Sequence, residues 1–210
     1  MNIFSSAPTT PWLLLTKGKK HEGNRMKKIP KQKKIVYAFI DSQNLNLGTG
    51  KDMYRKGKLI YKGWKLDFQK FRIYLSDKFR VKKAFLFIGY INQNKKLYRY
   101  LKSCGYDIVF KPTVNDRQGK PKGNVDAELV LHAAAIKFPD YDKAVIVSGD
   151  GDFRCLHEFL AKRNKLLRIL IPNEKSESSL LKPFQKYKTF LMFEREKLEV
   201  KPNKKGRRRS

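Results

Sequence analysis

The sequence predicts an α/β fold, a three-layer α/β/α sandwich with a mainly parallel central sheet. Short apolar runs rich in β-branched and aromatic residues alternate along the chain with segments of helical periodicity. Several of these runs are apolar at every position, which is typical of strands covered on both faces. Strands that alternate with helices in this way form parallel sheets wrapped by helices. The 210 residues suffice for one such domain with a sizeable core.

The elements follow one another from the first apolar run onward. The first strand is predicted over 35–40, IVYAFI, and is followed by a Gly- and Lys-rich loop over 46–63. Helical spacing of apolar residues predicts the first long helix over 66–79, and a polar loop is predicted over 111–124. The other predicted strands are 84–91, 106–110, 144–148, 166–171 and 189–193, and the other predicted helices are 95–103, 125–138, 152–164 and 178–187.

Composition divides the chain into three parts. Residues 1–33 are polar and basic without a sustained period, which predicts a disordered arm. Residues 34–195 contain the predicted strands and helices and form the domain, and residues 196–210 form a basic tail. No apolar run approaches the ~20 residues of a membrane helix, and no basic segment precedes the apolar cluster 12–15 as a secretory signal requires. A cytoplasmic protein without a membrane partner is therefore expected.

The charge of the chain indicates a polyanionic partner. Lys and Arg number 48 against 19 Asp and Glu, giving a formal net charge of +29. Residues 35–200 alone carry +15, so the domain itself is basic. Nucleic acid is the expected partner. A phosphatase acting on small phosphoesters is disfavoured, because small substrates do not require such a field.

Four aspartates are candidates for the chemistry. Asp41 and Asp150 follow directly after apolar strands, where ligands bind in open α/β sheets. Asp152 lies in the same segment, SGDGDF, and Asp126 begins the next predicted helix in KGNVD. A cluster of acidic residues in so basic a chain is typical of a site that binds Mg²⁺ or Mn²⁺ together with the phosphate backbone of a nucleic acid. The three histidines and two cysteines show no zinc-ligand spacing.

Structural roles compete with these functional ones. Asp152 could cap the helix 152–164, Asp41 could form an Asx-turn, and Asp126 is favoured by the helix dipole in any case. The stretch KKLYRYLK over 95–102 could stack bases, although Tyr and Leu at helical spacing are more typical of a core. Most lysines of such a basic chain are only solvated, but three side chains in or beside the motif loops are candidate phosphate contacts: Lys120, Lys122 and Arg154.

Three motifs carry a family resemblance. IDSQN over 40–44, KGNVD over 122–126 and SGDGDF over 148–153 resemble the NYN family of PIN-like ribonucleases, close to its LabA/DUF88-like branch, and the similarity spans about residues 34–172. The resemblance implies a PIN-like, Rossmann-like fold with a metal centre. In that centre Asn44 would orient water or phosphate, Ser148 would support its loop, and the metal ligands and catalytic residues would be Asp41, Asp126, Asp150 and Asp152.

One position departs from the family pattern. Relatives often carry another aspartate six residues after the one matching Asp126, and this chain has His132 there. The resemblance then implies a shift toward Mn²⁺ or a weaker second metal. Six positions lie about 120° off the face of Asp126 on a helix, so His132 is interpreted as a half-buried polar residue rather than a catalytic one.

The leading hypothesis is a metal-dependent ribonuclease, with RNA favoured over DNA and products that carry 5′-phosphate and 3′-hydroxyl ends. The resemblance also implies an endonuclease and a homodimer. The alternative is a non-catalytic RNA- or DNA-binding module on the same fold, which would bind tightly at low salt and cleave nothing.

Overall fold

The structure is a computed structural model that describes residues 33–111, 114–115, 121–122 and 125–201. The predicted arm over 1–33 lies outside the described residues except for Lys33, as does the end of the predicted tail, 202–210. No helix in the described part of the chain is long and apolar enough to cross a bilayer.

The described residues form ten strands and six α-helices. The strands are β1 (Val36–Asp41), β2 (Met53–Arg55), β3 (Lys58–Tyr61), β4 (Val81–Gly89), β5 (Asp107–Lys111), β6 (Val114–Asn115), β7 (Pro121–Lys122), β8 (Lys143–Val147), β9 (Leu166–Ile171) and β10 (Lys188–Phe190). The helices are α1 (Ser42–Gly50), α2 (Phe68–Phe79), α3 (Lys95–Ser103), α4 (Val125–Leu131), α5 (Arg154–Lys162) and α6 (Arg195–Leu198).

Six strands form one parallel sheet in the order β10-β9-β8-β1-β4-β5. The chain builds one half of the sheet outward from β1 through β4 to β5, and then the other half from β8 through β9 to β10. The order therefore reverses between β1 and β8. In open α/β sheets the carboxyl ends of the two strands at such a point form a crevice that binds ligands.

Helices cover both faces of this sheet. Val36, Ala38 and Ile40 of β1 pack in one hydrophobic cluster with residues of α1, α2, α3 and α6. Tyr37 and Phe39 point to the other face and pack with residues of α4 and α5. Burial on both faces explains why the strand is apolar at successive positions. The predicted three-layer α/β/α sandwich is confirmed.

Residues 46–63, predicted as a loop, are largely regular. Helix α1 runs to Gly50, and β2 and β3 form a hairpin. The helix begins because the Asp41 carboxylate accepts hydrogen bonds from the first backbone N–H groups. The hairpin turn contains Lys56 and Gly57, both at positive φ (51° and 73°), as a two-residue turn of the I′ type requires.

The helix predicted over 125–138 changes character after Leu131. Helix α4 continues as a π-helical turn, His132–Ile136, and then as a 3₁₀ turn, Phe138–Asp140. Two side chains hydrogen-bond carbonyl groups here: the Tyr141 hydroxyl donates to the Ala133 oxygen, and His132 Nδ1 lies 2.9 Å from the Glu128 oxygen. Such bonds compete with the regular helical ladder and permit the wider turn.

The end of the domain also differs from the sequence expectation. The strand predicted over 189–193 is shorter, because β10 ends at Phe190 and a 3₁₀ turn, Leu191–Glu194, leads into α6. Leu198 is buried in the core, and Glu199 pairs with Leu66 in an isolated antiparallel bridge. Residues assigned to the tail from 196 onward thus begin as a packed part of the domain.

Candidate active site

Asp41 ends β1 at the crevice between β1 and β8. Its side chain is 5% exposed, and its Oδ1 accepts hydrogen bonds from Gln43 N at 3.0 Å and Asn44 N at 3.1 Å. The side chain therefore caps α1, as the Asx-turn interpretation anticipated in part. A cap does not require burial, however, and a buried carboxylate is costly unless other groups compensate for it.

The segment SGDGDF forms the opposite wall of the crevice. Ser148 is fully buried, and its Oγ accepts a hydrogen bond from Asp150 N at 3.1 Å. Asp150 Oδ1 in turn accepts from Asp152 N at 3.0 Å, so Asp150 and not Asp152 caps the helical turn that leads into α5. Asp150 is half-buried and Asp152 is exposed. A side chain at Gly151 would put its Cβ 2.3 Å from Ser178 Oγ, which explains the glycine.

Asn44 joins the two walls. Its Oδ1 accepts a hydrogen bond from Gly149 N at 2.8 Å, a contact between residues 105 positions apart in sequence. The amide therefore fixes the start of α1 against the loop after β8. The resemblance implied that Asn44 orients water or phosphate, and its structural contact is with the backbone of the aspartate loop.

Asn44→Ala is expected to lower the free energy of unfolding by about 1–2 kcal/mol, because Gly149 N–H loses its acceptor. Urea unfolding of the metal-free protein measures the change. Asn46→Ala is the matched control, since Asn46 is exposed on the same helix and its removal should change stability by less than about 0.5 kcal/mol. Equal effects of the two substitutions would contradict a linking role for Asn44.

Asp41 and Asp126 each lie within electrostatic reach of other aspartates of the site. Burial raises the pKa of Asp41 from 3.8 to about 6, and the negative charges of Asp126 and Asp150 add to the rise, while the two backbone N–H groups oppose it. The pKa of Asp126 is raised by burial and then by the charges of Asp150 and Asp152. The site therefore concentrates negative charge that a cation would relieve.

Lys111 is a member of the site that the sequence prediction did not include. It is the last residue of β5 and 7% exposed, and its Nζ is buried without a hydrogen-bond partner in the described structure. Burial lowers the pKa of the ammonium group, and the charges of Asp126, Glu128 and Asp41 oppose that change. The one available signal is positional, because Lys111 directly follows the predicted strand 106–110, as Asp41 directly follows the predicted strand 35–40.

The comparison with protein families decides the assignment. The NYN domain matches residues 36–190, about three quarters of the chain. The chain belongs to the NYN domain family. NYN domains have a PIN-like nuclease fold and are typically nucleases, and such nucleases generally use divalent metals. The family thus indicates nucleic acid as the ligand.

A solved structure supports the NYN fold. The crystal structure of a protein of unknown function from Vibrio parahaemolyticus RIMD 2210633 is similar to this chain with a TM-score of 0.61 and 21% sequence identity. The similarity covers 82% of this chain and 100% of the other. At this identity the likeness shows the fold alone. No curated protein matches the chain.

The donor chemistry of the NYN site fits a divalent cation that prefers oxygen. Carboxylates are the ligands of Mg²⁺ and Mn²⁺ in proteins, and the raised pKa values of Asp41 and Asp126 reflect burial and repulsion that a cation would offset. As the side chains stand, no three or more His, Cys, Asp or Glu of the described ranges form a group that could hold a metal ion.

The remaining residues that the sequence singled out belong to other elements of the fold or lie outside the described residues. Arg154 is exposed on α5, where its Nε lies 2.8 Å from Glu158 Oε1. Lys122 belongs to β7, and Lys120 lies outside the described residues. His132 is half-buried, and its ring packs edge-on against Phe87 at 5.3 Å between centroids, in line with its interpretation as a structural polar residue.

Proposed function

We propose that this NYN protein, as a relative of the LabA-like branch, is a metal-dependent endoribonuclease that hydrolyses RNA phosphodiester bonds. The main support is the place of Asp41 and Asp150 on the two walls of the crevice between β1 and β8, with the charge of Asp126 felt by both Asp41 and Lys111. The net charge of +29 of the whole chain provides complementary support, because it favours a polyanionic substrate.

The residues divide the work as follows. Asp41 and Asp150 would hold Mg²⁺ or Mn²⁺, and Asp126 and Asp152 would complete the set of oxygen ligands. Such an ion, when bound, lowers the pKa of a water molecule and offsets charge on the phosphate. Asn44 connects the two walls by accepting a hydrogen bond from Gly149 N, and Ser148 supports its own wall by accepting one from Asp150 N.

Positively charged side chains would bind the substrate. The Lys111 ammonium lies within electrostatic range of Asp41 and Asp126. Its positive charge can therefore reduce the repulsion between these carboxylates and a substrate phosphate. Lys120, Lys122 and Arg154 are proposed as phosphate contacts, and for Arg154 this means exchanging its exposed partner Glu158 for the strand. An exposed ion pair of this kind is weak enough to exchange.

Cleavage of labelled single-stranded RNA and matched DNA tests the proposal. Wild type should cleave RNA with Mn²⁺ or Mg²⁺ and not with EDTA, leaving 5′-phosphate and 3′-hydroxyl ends. Asp150→Asn keeps the shape of the side chain and removes its charge, and it should lower the rate at least about 100-fold. Asp107→Asn is the matched control, because Asp107 is exposed at the amino end of β5 and should leave the rate unchanged.

Two results would overturn the proposal. Cleavage in EDTA that leaves 2′,3′-cyclic phosphates would show a metal-independent reaction. Salt-sensitive binding without cleavage, equal in wild type and Asp150→Asn, would establish the non-catalytic RNA- or DNA-binding module instead.

A further inference from the structure

Two exposed aromatic rings lie at the carboxyl edge of the sheet, on β5 and directly after β4, on the side of β1 away from β8. Tyr90 directly follows β4 and is 43% exposed, and Phe110 is the penultimate residue of β5 and is 38% exposed. Their ring centroids lie 5.4 Å apart with the planes at 90°. Together they form an aromatic platform on the surface.

The aromatic platform is held from behind by Tyr98 of α3. The buried Tyr98 ring lies 4.8 Å from Phe110 and 5.9 Å from Tyr90, between centroids. Its hydroxyl accepts a hydrogen bond from Ile91 N at 2.7 Å and donates to Gly89 O at 3.2 Å. The backbone on both sides of Tyr90 is thus fixed, and a ring that is already ordered costs little entropy when a ligand stacks on it.

Basic side chains flank the aromatic platform. Helix α3 contains four Lys and Arg residues and no acidic one, and all four are exposed: Lys95, Lys96, Arg99 and Lys102. Lys95 and Lys96 lie in the first turn, where the helix dipole disfavours positive charge. The helix dipole therefore gives no reason for these lysines, and their exposed charges are available to a polyanion.

The aromatic platform and the acidic site lie toward the same, carboxyl edge of the sheet but on opposite faces. Phe110 and Lys111 are consecutive, so their side chains lie on opposite faces of edge strand β5. Phe110 contacts α3 on one face, and Lys111 is turned to the charges of Asp126 and Glu128 of α4 on the other. An RNA strand that passes over the carboxyl end of β5 would therefore have the rings on one face of the sheet and Lys111 with the acidic residues on the other.

We propose that Tyr90 and Phe110 form a stacking site for an unpaired nucleobase of the substrate. The proposal rests on the function above and specifies its substrate class, single-stranded RNA. A base offers a free face to an aromatic side chain only when it is unstacked from its neighbours, which duplex RNA does not permit. The α3 cations would hold the phosphates that flank this base.

RNA binding is measured in EDTA, where no cleavage is expected. The measurement distinguishes the contribution of base stacking to the affinity from that of charge. The probes are an oligoadenylate and an abasic strand of the same length and charge. Tyr90→Ala/Phe110→Ala should bind the oligoadenylate about 5- to 150-fold more weakly than wild type, with almost unchanged affinity for the abasic strand. Tyr90→Trp/Phe110→Trp should restore binding of the oligoadenylate.

Phe193→Ala is the matched control, since Phe193 is 70% exposed after β10, beyond the opposite edge strand of the sheet. It should bind both probes like wild type. Unchanged binding by the double alanine variant would overturn the proposal, as would an equal loss for both probes, which would indicate a general change of surface or a protein-binding patch. Thermal unfolding verifies that each variant is folded.

The outcome is independent of the nuclease proposal. If wild type cleaves nothing, the binding comparison still decides whether the rings stack a base. If wild type cleaves RNA and the double alanine variant binds normally, the stacking site is rejected and the nuclease stands.

Discussion

Asp41→Asn is expected to abolish metal-dependent cleavage and, above pH 6, to raise the free energy of unfolding of the metal-free protein by about 3 kcal/mol. The pKa of Asp41 rises from 3.8 to about 6 on folding, and each unit corresponds to about 1.4 kcal/mol. Asparagine removes the buried charge. Its carbonyl oxygen can still accept the hydrogen bonds from Gln43 N and Asn44 N, so the cap of α1 is kept.

The sign of the effect follows from proton binding. Between pH 3.8 and 6 the folded protein holds the Asp41 proton and the unfolded chain has lost it. Stability from this group is therefore fully present at low pH and is lost as the pH rises through 6. Asp41→Asn has no ionisable group here and does not lose this stability. The difference in the free energy of unfolding between the variant and wild type should therefore grow from pH 3.8 to 6 and stay constant above pH 6.

Urea unfolding in EDTA at pH 7.5 measures the difference, and the cleavage assay measures the loss of activity. Asp107→Asn, the exposed control, should change stability by less than about 0.5 kcal/mol. Adding Mn²⁺ should stabilise wild type more than Asp41→Asn, because a ligand of the folded state stabilises by mass action. A variant less stable than wild type at pH 7.5 would contradict this account, since it would mean that the ionised carboxylate is well compensated.

The gain in stability would identify Asp41 as a residue kept for function. Burial and neighbouring carboxylates raise the pKa values of Asp41 and Asp126, which is unfavourable for folding when both are ionised, and selection for stability alone would not favour such an arrangement. Lys111 offsets the charge only in part, because its own burial disfavours the ammonium form. In the metal-free protein the acidic site is thus electrostatically unfavourable, and a bound cation would relieve the repulsion.

The sheet and the two walls of the crevice could be predicted because they depend on local patterns. Strands β1 and β8 are apolar at successive positions, which indicates burial on both faces. A carboxylate that follows such a strand must lie at the carboxyl edge, whatever the strand order. The location of Asp41 and Asp150 could therefore be predicted without knowing which strands pair. The reversal of strand order between β1 and β8 could be seen only in the structure.

Features that depend on tertiary contacts could not be predicted. Lys111 is one of 48 Lys and Arg residues, and its burial and the nearby charges of Asp126 and Glu128 appear only in the folded chain. Helix α1 has little apolar periodicity: Leu45 and Leu47 are two positions apart, and only Leu45 is buried. The Asp41 cap is therefore the stronger indication that a helix begins here. The π-helical turn after α4 depends on a hydroxyl from Tyr141, which lies beyond the turn itself.

His157→Leu is expected to raise the free energy of unfolding at pH 4 by about 3 kcal/mol relative to its effect above pH 6.5. His157 is fully buried on α5 against Phe184, and neither ring nitrogen has a hydrogen-bond partner in the part of the chain that the structure describes. Burial lowers the pKa of the imidazole from 6.5 to about 4. That shift of about 2.5 units corresponds to about 3 kcal/mol.

The sign is opposite to that of Asp41. Between pH 4 and 6.5 the unfolded chain binds a proton at His157 that the folded protein does not bind, so stability is lost as the pH falls. Leucine has a similar volume and no ring nitrogen, and it removes this loss. It also removes two unsatisfied polar atoms, which adds about 1–3 kcal/mol at every pH.

In the wild-type protein, the contributions of Asp41 and His157 to the pH dependence of the free energy of unfolding should cancel between pH 4 and 6. Variants of both residues together therefore give a sharper test than a variant of either one. From pH 4 to 6 Asp41 contributes one extra proton to the folded state, and His157 contributes one to the unfolded state. Asp41→Asn should therefore expose a fall of stability toward acid, and His157→Leu a fall toward neutral pH. Subtracting the wild-type urea profile from each variant removes the other titrating groups. In the double variant both slopes should vanish, and a single variant with no slope relative to wild type would show that its side chain is not desolvated by folding.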